Sequence, residues 1–302
     1  MAHITEIEEE KLISDLRNTF VNFSNTNTNT QGENRWLENI SRLNDLVMNE
    51  DPKHFLQWDV IKRTMEVGDA DFIETELNFL KNLKDWERWG NAIREVSIGS
   101  PTFSNIYPDS SGNLIHHAYH VAQFENMTDK NIHDIDCIFE FGGGYGGMYR
   151  LIHNLGFSGK YIIFDFPEFS ALQKYFIKNL GIETHTVESF KQANSGVICV
   201  SDINILQDLL LKYIPIKNSM FLATWSLSEC PVDLRKKILS MISDFKNFLI
   251  SYQGQFEGIN NIEFFDQWKD SHLDVNWTDK IIEHIPNEYY RDNFYLMGYD
   301  KN

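Results

Sequence analysis

A glycine-rich segment in the middle of the chain has the composition of a ligand-binding loop. It reads Glu-Phe-Gly-Gly-Gly-Tyr-Gly-Gly over residues 140–147 and follows a short apolar run, and Asp165 ends the next apolar run. Glycines let a backbone approach a ligand closely, and a carboxylate at the end of the second apolar run can accept hydrogen bonds from ribose hydroxyls. The pattern predicts a site for an adenosine-containing ligand. Gly142, Gly144 and Gly147 also satisfy the dinucleotide fingerprint, so the glycines alone leave two cofactor classes open.

Three further features favour S-adenosylmethionine over a nicotinamide dinucleotide. Glu140 stands just before the glycines, where a carboxylate can meet the ammonium group of a methionine moiety and would repel a pyrophosphate. Asp202 follows the third predicted core strand, from which a polar side chain can reach an adenine amino group. The chain after the motif ends in a predicted hairpin rather than in a second nucleotide-binding half. We therefore expect S-adenosylmethionine as the cofactor.

The sequence from Ile135 onward alternates between strand-like and helix-like segments. Apolar runs at residues 137–141, 161–165, 197–200, 220–224 and 248–252 predict strands, and helix-like spacing fills most of the gaps. Such alternation predicts a parallel sheet covered on both faces. Two last strand-like runs, 277–285 and 294–299, are too close together for a parallel crossover, so we expect an antiparallel pair. The predicted fold is α/β: a Rossmann-like seven-stranded class I methyltransferase sheet with a C-terminal antiparallel hairpin.

The N-terminal part of the chain has a different character. Helical spacing of apolar residues recurs over residues 4–20, 36–95 and 116–124, while Asn25–Thr30 reads as a loop and Gly99–Gly112 is rich in turn residues. We expect residues 1–133 to form an all-helical cap or lid and residues 134–302 to form the cofactor-binding domain. The helical region is also the expected interface of a homodimer.

Composition excludes several classes of protein. The net charge of -17 argues against a nucleic-acid binder, which needs clustered Lys and Arg. The three cysteines have no metal-ligand spacing and suit a reducing compartment. Neither a signal peptide nor an apolar run of membrane-spanning length is visible in the sequence. We expect a cytoplasmic enzyme whose partner is a small-molecule substrate, with no nucleic acid and no membrane span.

The motifs resemble those of known methyltransferases. Residues 139–169 look like the cofactor motifs of small-molecule O-methyltransferases, and residues 113–302 are similar to a bacterial family of sugar O-methyltransferases. The similarity to the bacterial family is carried by Ile115–His120, the glycine loop, Thr224–Glu229 and His284–Asn287. The resemblance implies roles for a set of cofactor-binding residues. Glu140, Gly142, Gly144 and Gly146 would cradle the methionine part, Asp165 would hold the ribose, and Phe166 and Asp202 would flank the adenine; the same predicted site includes Tyr145, Ile203 and Thr224.

The general base does not follow from the resemblance. Plant-type relatives place a His–Asp pair after the fourth strand, whereas this chain has Leu-Ser-Glu at 227–229. Glu229 is the first candidate, because a shielded carboxylate can have its pKa raised toward neutrality, although an acid here could simply favour the start of the next helix. His117 and His120 are the second candidates. His284 is the third and could instead anchor the terminal hairpin; we expect no metal site.

The acceptor pocket should follow strands four and five, where ligands lie in open α/β sheets. Its predicted residues are Trp225, Ser228, Tyr252, Gln253 and Asn261, although Trp225 could be core and Gln253 part of a turn. The predicted function is in-line O-methylation of a sugar or sugar-containing small molecule, free or linked to a nucleotide or lipid. Two alternatives stay open at this point: an inactive methyltransferase-fold partner subunit and an NAD(P)-dependent oxidoreductase. An amine acceptor is a further variant of the leading prediction.

Overall fold

The N-terminal part of the chain is helical. The computed structural model describes residues 5–23, 31–215, 218–285 and 292–300, without the side chains of residues 31–35. The predicted loop at Asn25–Thr30 and the predicted motif residues Pro286 and Asn287 lie outside these ranges. The helices before the first strand are α1 (Glu6–Val21), α2 (Gln31–Asn49), α3 (Asp59–Met65), α4 (Phe72–Lys81), α5 (Trp86–Ala92) and α6 (Gly112–Thr128), with short 3-10 turns at Pro52–Gln57 and Ile132–Asp134.

Local sequence explains where several of these helices begin and which face they bury. Thr5 and Glu8 form a capping box at the start of α1, in which each side chain accepts the other residue's backbone N–H. Ser111 caps α6 by accepting the N–H of Leu114 at 3.2 Å. Helix α4 buries one stripe of side chains at helical spacing: Ile73, Glu76, Leu77 and Leu80. A carboxylate therefore lies on the apolar face of α4.

The remainder of the chain forms the sheet and its covering helices. The strands are β1 (Cys137–Phe141), β2 (Lys160–Phe164), β3 (Gly196–Val200), β4 (Ser219–Thr224), β5 (Asn247–Gln253), β8 (Val275–Ile281) and β9 (Asn293–Asp300), with a small hairpin of β6 (Gln255–Phe256) and β7 (Ile259–Asn260). The helices are α7 (Gly147–Asn154), α8 (Pro167–Asn179), α9 (Val187–Gln192), α10 (Ile203–Lys212), α11 (Val232–Met241) and α12 (Asn261–Lys269). A 3-10 turn spans Leu227–Glu229.

The order of the strands confirms the predicted fold. The main sheet has seven strands in the order β3-β2-β1-β4-β5-β9-β8. Strands β1 to β5 pair in parallel, and β9 runs antiparallel to both β5 and β8. This is the seven-stranded class I methyltransferase sheet with its C-terminal antiparallel hairpin. The first five strands reverse their order between β1 and β4, where an open α/β sheet forms a ligand crevice.

Two hydrophobic cores lie on the opposite faces of the sheet. One core contains Ile138, Tyr161 and Ile163 and continues into the N-terminal helices, across the domain boundary predicted at residue 133. The other contains Phe139 and Ile162, together with side chains of α10 and α11. Helix α6 is buried nearly all round because it packs against α4, α7, β5 and β9. It therefore holds its side chains directly above the sheet.

Some elements differ from the sequence prediction. Helix α9, the β6–β7 hairpin and helix α12 were not predicted, and Asn261 is the first residue of α12. No helix in the described ranges is both long and apolar enough to cross a membrane.

Candidate active site

A cavity of about 540 Å³ opens at the carboxyl ends of β1 to β4, between the sheet and the helical region. Its volume is within the range of small-molecule binding sites. The strand ends contribute Glu140, Asp165, Ser201 and Thr224 to its wall. The segment from Arg63 to Val67, at the end of α3, covers the opposite side. The cavity therefore lies at the reversal of strand order, as the fold predicts.

The glycine loop after β1 has a conformation that side chains would obstruct. Gly142 has a φ of +73°, and a Cβ there would lie 2.4 Å from Cβ of Ser226. Gly144 has a φ of +57°, and a Cβ there would lie 3.1 Å from Sδ of Met65. The N–H of Gly144 donates to Oδ2 of Asp165 at 2.9 Å, which joins the loop after β1 to the acid after β2. The loop is thus a backbone-lined wall held in a fixed position.

Two carboxylates face this part of the cavity. Glu140 is buried, and its Oε2 accepts a hydrogen bond from the hydroxyl of Tyr161 at 2.9 Å. Burial raises the pKa of Glu140 to about 8, although the Tyr161 hydrogen bond opposes the rise. Burial raises the pKa of Asp165 to about 7, against the hydrogen bonds from Phe166 and Gly144. A cationic ligand group would stabilise the ionised form of each carboxylate.

Most of the other predicted cofactor residues also reach the cavity wall. Tyr145, Phe166, Ile203 and Thr224 line it, and Gly146 lies behind the wall as the N-terminal cap of α7. The ring of Phe166 lies 6.1 Å from that of Trp36, so an aromatic pair closes the end of the cavity near β2. Trp36 was not predicted, because nothing in the sequence distinguishes it from core aromatic residues.

Asp202 caps a helix, and the adenine contact predicted for it stays a prediction. Its side chain is exposed and caps α10, where Oδ1 accepts the N–H groups of Asn204 at 2.7 Å and Ile205 at 3.2 Å. The neighbouring Ser201 and Ile203 line the cavity in its place. An acid that follows a strand and precedes a helix is in the position of an N-terminal helix cap. Here the Asp202 carboxylate serves as that cap.

The predicted substrate residues divide into two groups. Trp225 and Glu229 line the cavity, and Trp225 has a φ of +66°, which is rare for a residue with a side chain. The structure does not bring Ser228, Gln253 or Asn261 to the cavity. They belong to a buried network around the guanidinium group of Arg235, which donates to Oδ1 of Asn261 at 2.6 Å and to the carbonyl oxygens of Ser228 and Cys230. Tyr252 is core and stacks on Phe294 with ring centroids 5.4 Å apart.

The Arg235 network supports the turn that carries Trp225 and Glu229. Ser228 Oγ donates a hydrogen bond and lies 2.8 Å from the Trp225 carbonyl oxygen and 2.7 Å from Oε1 of Gln253. Gln253 Nε2 in turn donates to Oε1 of Glu229 at 3.2 Å. These residues therefore act on the cavity indirectly, through the position of this turn.

The histidines of α6 form the most unusual part of the cavity wall. His116, His117 and His120 all line it. His117 Nδ1 is buried and has no hydrogen-bond partner, and burial lowers the pKa of His117 to about 3, so its ring is neutral at physiological pH. His116 and His120 are hydrogen-bonded to each other through their Nε2 atoms at 3.0 Å. His284 lies outside the cavity wall and hydrogen-bonds to Glu76, consistent with an anchoring role.

Two residues of this histidine cluster were missed by sequence reasoning. Oε1 of Glu76 lies 2.9 Å from Nδ1 of His116 and 2.8 Å from Nε2 of His284. Tyr295 hydrogen-bonds to Nδ1 of His120. A signal for Glu76 exists in the sequence, because it is the one acid among the apolar positions of α4; Tyr295 gives no such signal. Among the described residues, no group of three or more His, Cys, Asp or Glu has an arrangement that could hold a metal ion.

Comparison with known proteins gives similarity of structure only. Neither a family model nor a curated protein matches the sequence. A Thermoplasma acidophilum protein of known structure is similar with a TM-score of 0.41 and 13% identity, over 76% of this chain and 97% of that one. Magnesium protoporphyrin IX methyltransferase from Synechocystis PCC 6803, solved with bound S-adenosylmethionine, has a TM-score of 0.39 and 9% identity, over 76% and 98% of the two chains. Precorrin-6y C5,15-methyltransferase from Geobacter metallireducens has a TM-score of 0.38 and 9% identity, over 61% and 87%.

Proposed function

We propose that this chain is an S-adenosylmethionine-dependent methyltransferase that methylates a hydroxyl group of a sugar or sugar-containing small molecule. The observation that carries the proposal is the buried carboxylate of Glu140 beside the glycine loop, in a cavity at the strand-order reversal of a class I methyltransferase sheet. When bound, the donor substrate supplies an electrophilic methyl group on a sulfonium. The residues of the chain bind this donor, orient the acceptor and accept a proton.

The charge of the cavity wall supports a cationic donor. Glu140 and Asp165 flank the glycine loop, and burial raises the pKa of both carboxyl groups. Their hydrogen-bond partners among the described residues are Tyr161, Gly144, Phe166 and Gln173, none of which is cationic. The ammonium and sulfonium groups of the donor would provide a cationic partner. A pyrophosphate at the same loop would meet two acids, which disfavours the dinucleotide alternative. The sheet also ends in its antiparallel hairpin, without a second nucleotide-binding half.

The other side of the cavity supports a hydroxylated acceptor. Trp225 offers an aromatic face, and Glu66, Glu229 and His117 offer hydrogen-bonding groups. Burial raises the pKa of the Glu66 carboxyl group. A sugar ring presents apolar C–H faces and several hydroxyl groups, which fits this mixture. Glu229 and the neutral imidazole of His117 are the two groups in this wall that we propose as general bases.

Calorimetric titration tests the donor part of the proposal. We expect S-adenosylmethionine and S-adenosylhomocysteine to bind and NAD not to bind. Binding of NAD without either sulfur compound would overturn the proposal in favour of an oxidoreductase. A Glu140→Gln variant, which keeps the shape of the side chain and removes its charge, should weaken S-adenosylmethionine at least tenfold, by about 1.5 kcal/mol or more.

Transfer of a radiolabelled methyl group to a panel of monosaccharides and nucleotide sugars tests the acceptor part. We expect labelled methyl ether products that resist mild base, whereas methyl esters would be hydrolysed. Glu229→Gln and His117→Gln then identify the base, since loss of a general base typically costs about 10²–10⁴-fold in kcat. Donor binding with no transfer to any hydroxyl compound, but transfer to amines, would reassign the acceptor.

A further inference from the structure

Glu66 is an acid of the cavity wall whose side chain is not satisfied by the described part of the protein. It directly follows α3 and belongs to the Arg63–Val67 segment, which covers the cavity on the side opposite the sheet. Its carboxyl group is half-buried and makes no hydrogen bond or ion pair with a described residue. A carboxylate that is partly removed from water is costly unless another group pairs with it. Its place in a ligand cavity indicates that this group belongs to a ligand.

The charges around Glu66 do not take the place of such a group. Burial raises the pKa of Glu66, Lys62 acts in the opposite direction, and the charge of Glu95 raises the pKa further. Lys62 is exposed, and its ammonium group donates to Oε1 of Gln57 at 2.6 Å. A cationic group bound in the cavity would stabilise the ionised form of Glu66.

The segment that carries Glu66 is held against the first turn of α6. A Cβ on Gly112, the first residue of α6, would lie 1.7 Å from the carbonyl oxygen of Gly68. Asn113 and His117 are four residues apart, share one face of α6 and line the cavity together with Glu66. Nδ1 of His117 is buried and has no hydrogen-bond partner among the described residues. The helical side of the cavity therefore offers a carboxyl group and an imidazole nitrogen to a ligand.

Glu66 and Glu140 lie on different sides of the cavity. Glu140 is on the sheet beneath the glycine loop, where a Cβ on Gly143 would lie 3.1 Å from its Cδ. Glu66 is on the segment that covers the cavity from the helical side. The ammonium group of the donor is expected beside Glu140, so Glu66 remains for a group of the second substrate.

The charge of the whole cavity wall favours a cationic second substrate. The wall contains the acids Glu66, Glu140, Asp165 and Glu229. Among the described residues, Arg63 is the one Lys or Arg that lines the cavity, and it is exposed and donates to Oδ1 of Asn39 at 2.7 Å. The donor brings an ammonium, a sulfonium and a carboxylate group, and thus a single net positive charge. A further cation is attracted to this wall, whereas the diphosphate group of a nucleotide sugar is repelled.

We propose that the acceptor is an amino sugar, whose ammonium group pairs with Glu66 while one of its hydroxyl groups is methylated. This inference rests on the proposed methyltransferase function. The ammonium nitrogen has no lone pair, so a sugar oxygen remains the nucleophile. That oxygen loses its proton to the general base and bonds to the methyl carbon, and the sulfur of the donor keeps the electron pair of the broken S–CH₃ bond. A hydroxyl group of the sugar supplies the hydrogen-bond partner of Nδ1 of His117.

Acceptor binding to the S-adenosylhomocysteine complex tests this proposal without turnover. Calorimetric titration compares glucosamine, galactosamine and kanosamine with glucose, galactose and N-acetylglucosamine, at a pH at which the amines are protonated. We expect an amino sugar to bind about tenfold or more tightly than its neutral counterpart, because an ion pair shielded from water replaces a neutral contact. Glu66→Gln should remove this preference, whereas Glu74→Gln, which changes an exposed acid on α4, should retain it.

Three results would overturn the inference and leave the methyltransferase proposal intact. The first is binding of the amino sugars no tighter than that of the neutral sugars, or weaker than that of UDP-glucose. The second is an equal preference for amino sugars in wild-type and Glu66→Gln protein. The third is a loss of S-adenosylmethionine affinity in Glu66→Gln as large as that in Glu140→Gln, which would assign Glu66 to the donor.

The position of the transferred methyl group and the binding of the donor complete the test. A radiolabelled methyl group on the sugar nitrogen would overturn both the ammonium pair with Glu66 and the proposed hydroxyl acceptor. Failure of both sulfur compounds to bind would overturn the proposed function and this inference with it. Should Glu66→Gln not fold, the wild-type titrations still decide, because N-acetylation removes the charge from an otherwise identical sugar.

Discussion

The hydroxyl of Tyr161 donates a 2.9 Å hydrogen bond to Oε2 of Glu140, and both side chains are buried. The two residues lie on neighbouring parallel strands, β1 and β2, and point to the same face of the sheet. The hydrogen bond orients the Glu140 carboxyl group, but the Tyr161 hydroxyl carries no positive charge that could balance an ionised carboxylate. The protein therefore holds a poorly solvated acid next to the glycine loop, where a cationic ligand can approach.

We predict that Glu140 lowers the stability of the ligand-free protein at alkaline pH. Its pKa of about 8 exceeds the usual carboxyl value of 4.5, so between these two pH values the folded state binds more protons than the unfolded state. Stability should therefore fall as the pH rises from about 5 toward 8. Glu140→Gln should be similar to wild type at pH 5 and more stable at pH 8, on the order of 2 kcal/mol. Denaturant unfolding of both proteins at pH 5 and at pH 8 measures the difference in stability. A Glu140→Gln variant that gains no stability relative to wild type between pH 5 and pH 8 would contradict the prediction.

We predict that Gly142→Ala damages the site beyond its effect on the backbone. The new Cβ would meet Ser226 at 2.4 Å, and a φ of +73° is unfavourable for alanine. Gly156→Ala is the matched control, because Gly156 also has a positive φ, of +98°, but has nothing within 4 Å of the added atom. Both variants should lose about 1 kcal/mol or more of stability. Only Gly142→Ala should lose affinity for S-adenosylmethionine, by tenfold or more in a calorimetric titration; equal affinities would show that the loop tolerates displacement.

We predict that Asp202 contributes to stability rather than to binding. Its Oδ1 caps α10 through the N–H groups of Asn204 and Ile205. Asp202→Ala should cost about 1 kcal/mol of stability, whereas Asp202→Asn should keep most of it, since an amide oxygen also caps a helix. Thermal unfolding measures the cost. S-adenosylmethionine affinity should stay within threefold of wild type in both variants, and a larger loss would restore the predicted adenine contact.

The sequence predicts the sheet and the glycine loop because their signals are local. Apolar runs mark the strands, and the glycines and Asp165 mark the turn between β1 and α7 and the end of β2. The direction of a side chain at a strand end is set by its tertiary partners, and sequence position alone does not provide it. Gln253 therefore turned out to face the Arg235 network, and Asp202 its own helix.

The histidine cluster shows that local sequence patterns also fail to predict contacts between residues that are distant in the chain. The spacing of His116 and His120 predicts one helix face, and the structure has both rings in the cavity wall. Their partners come from α4 and β9, more than a hundred residues apart in the chain, so no local pattern connects them. Sequence reasoning missed Glu76, although its position among apolar residues is a local signal for a buried acid. Its partner His116 could be known only from the packing of α4 against α6.

We predict that Asn261 stabilises the fold and does not contact a ligand. Its side chain is fully buried, accepts from Arg235 at 2.6 Å and donates to the carbonyl oxygen of Gln253 at 2.7 Å. Asn261→Ala leaves these groups unpaired in the interior, which should cost about 2–3 kcal/mol. Asn260→Ala, next to it, removes only the cap of α12 and should cost about 1 kcal/mol.

Denaturant unfolding of the two asparagine variants separates the two roles of Asn261. A side chain that faces a ligand is not satisfied by the protein alone, so its removal usually leaves stability within about 0.5 kcal/mol. A cost for Asn261→Ala below that of Asn260→Ala would therefore favour the substrate contact predicted from the sequence. The expected larger cost assigns Asn261 to the network that holds the turn bearing Trp225 and Glu229, and S-adenosylmethionine affinity should then be unchanged in both variants.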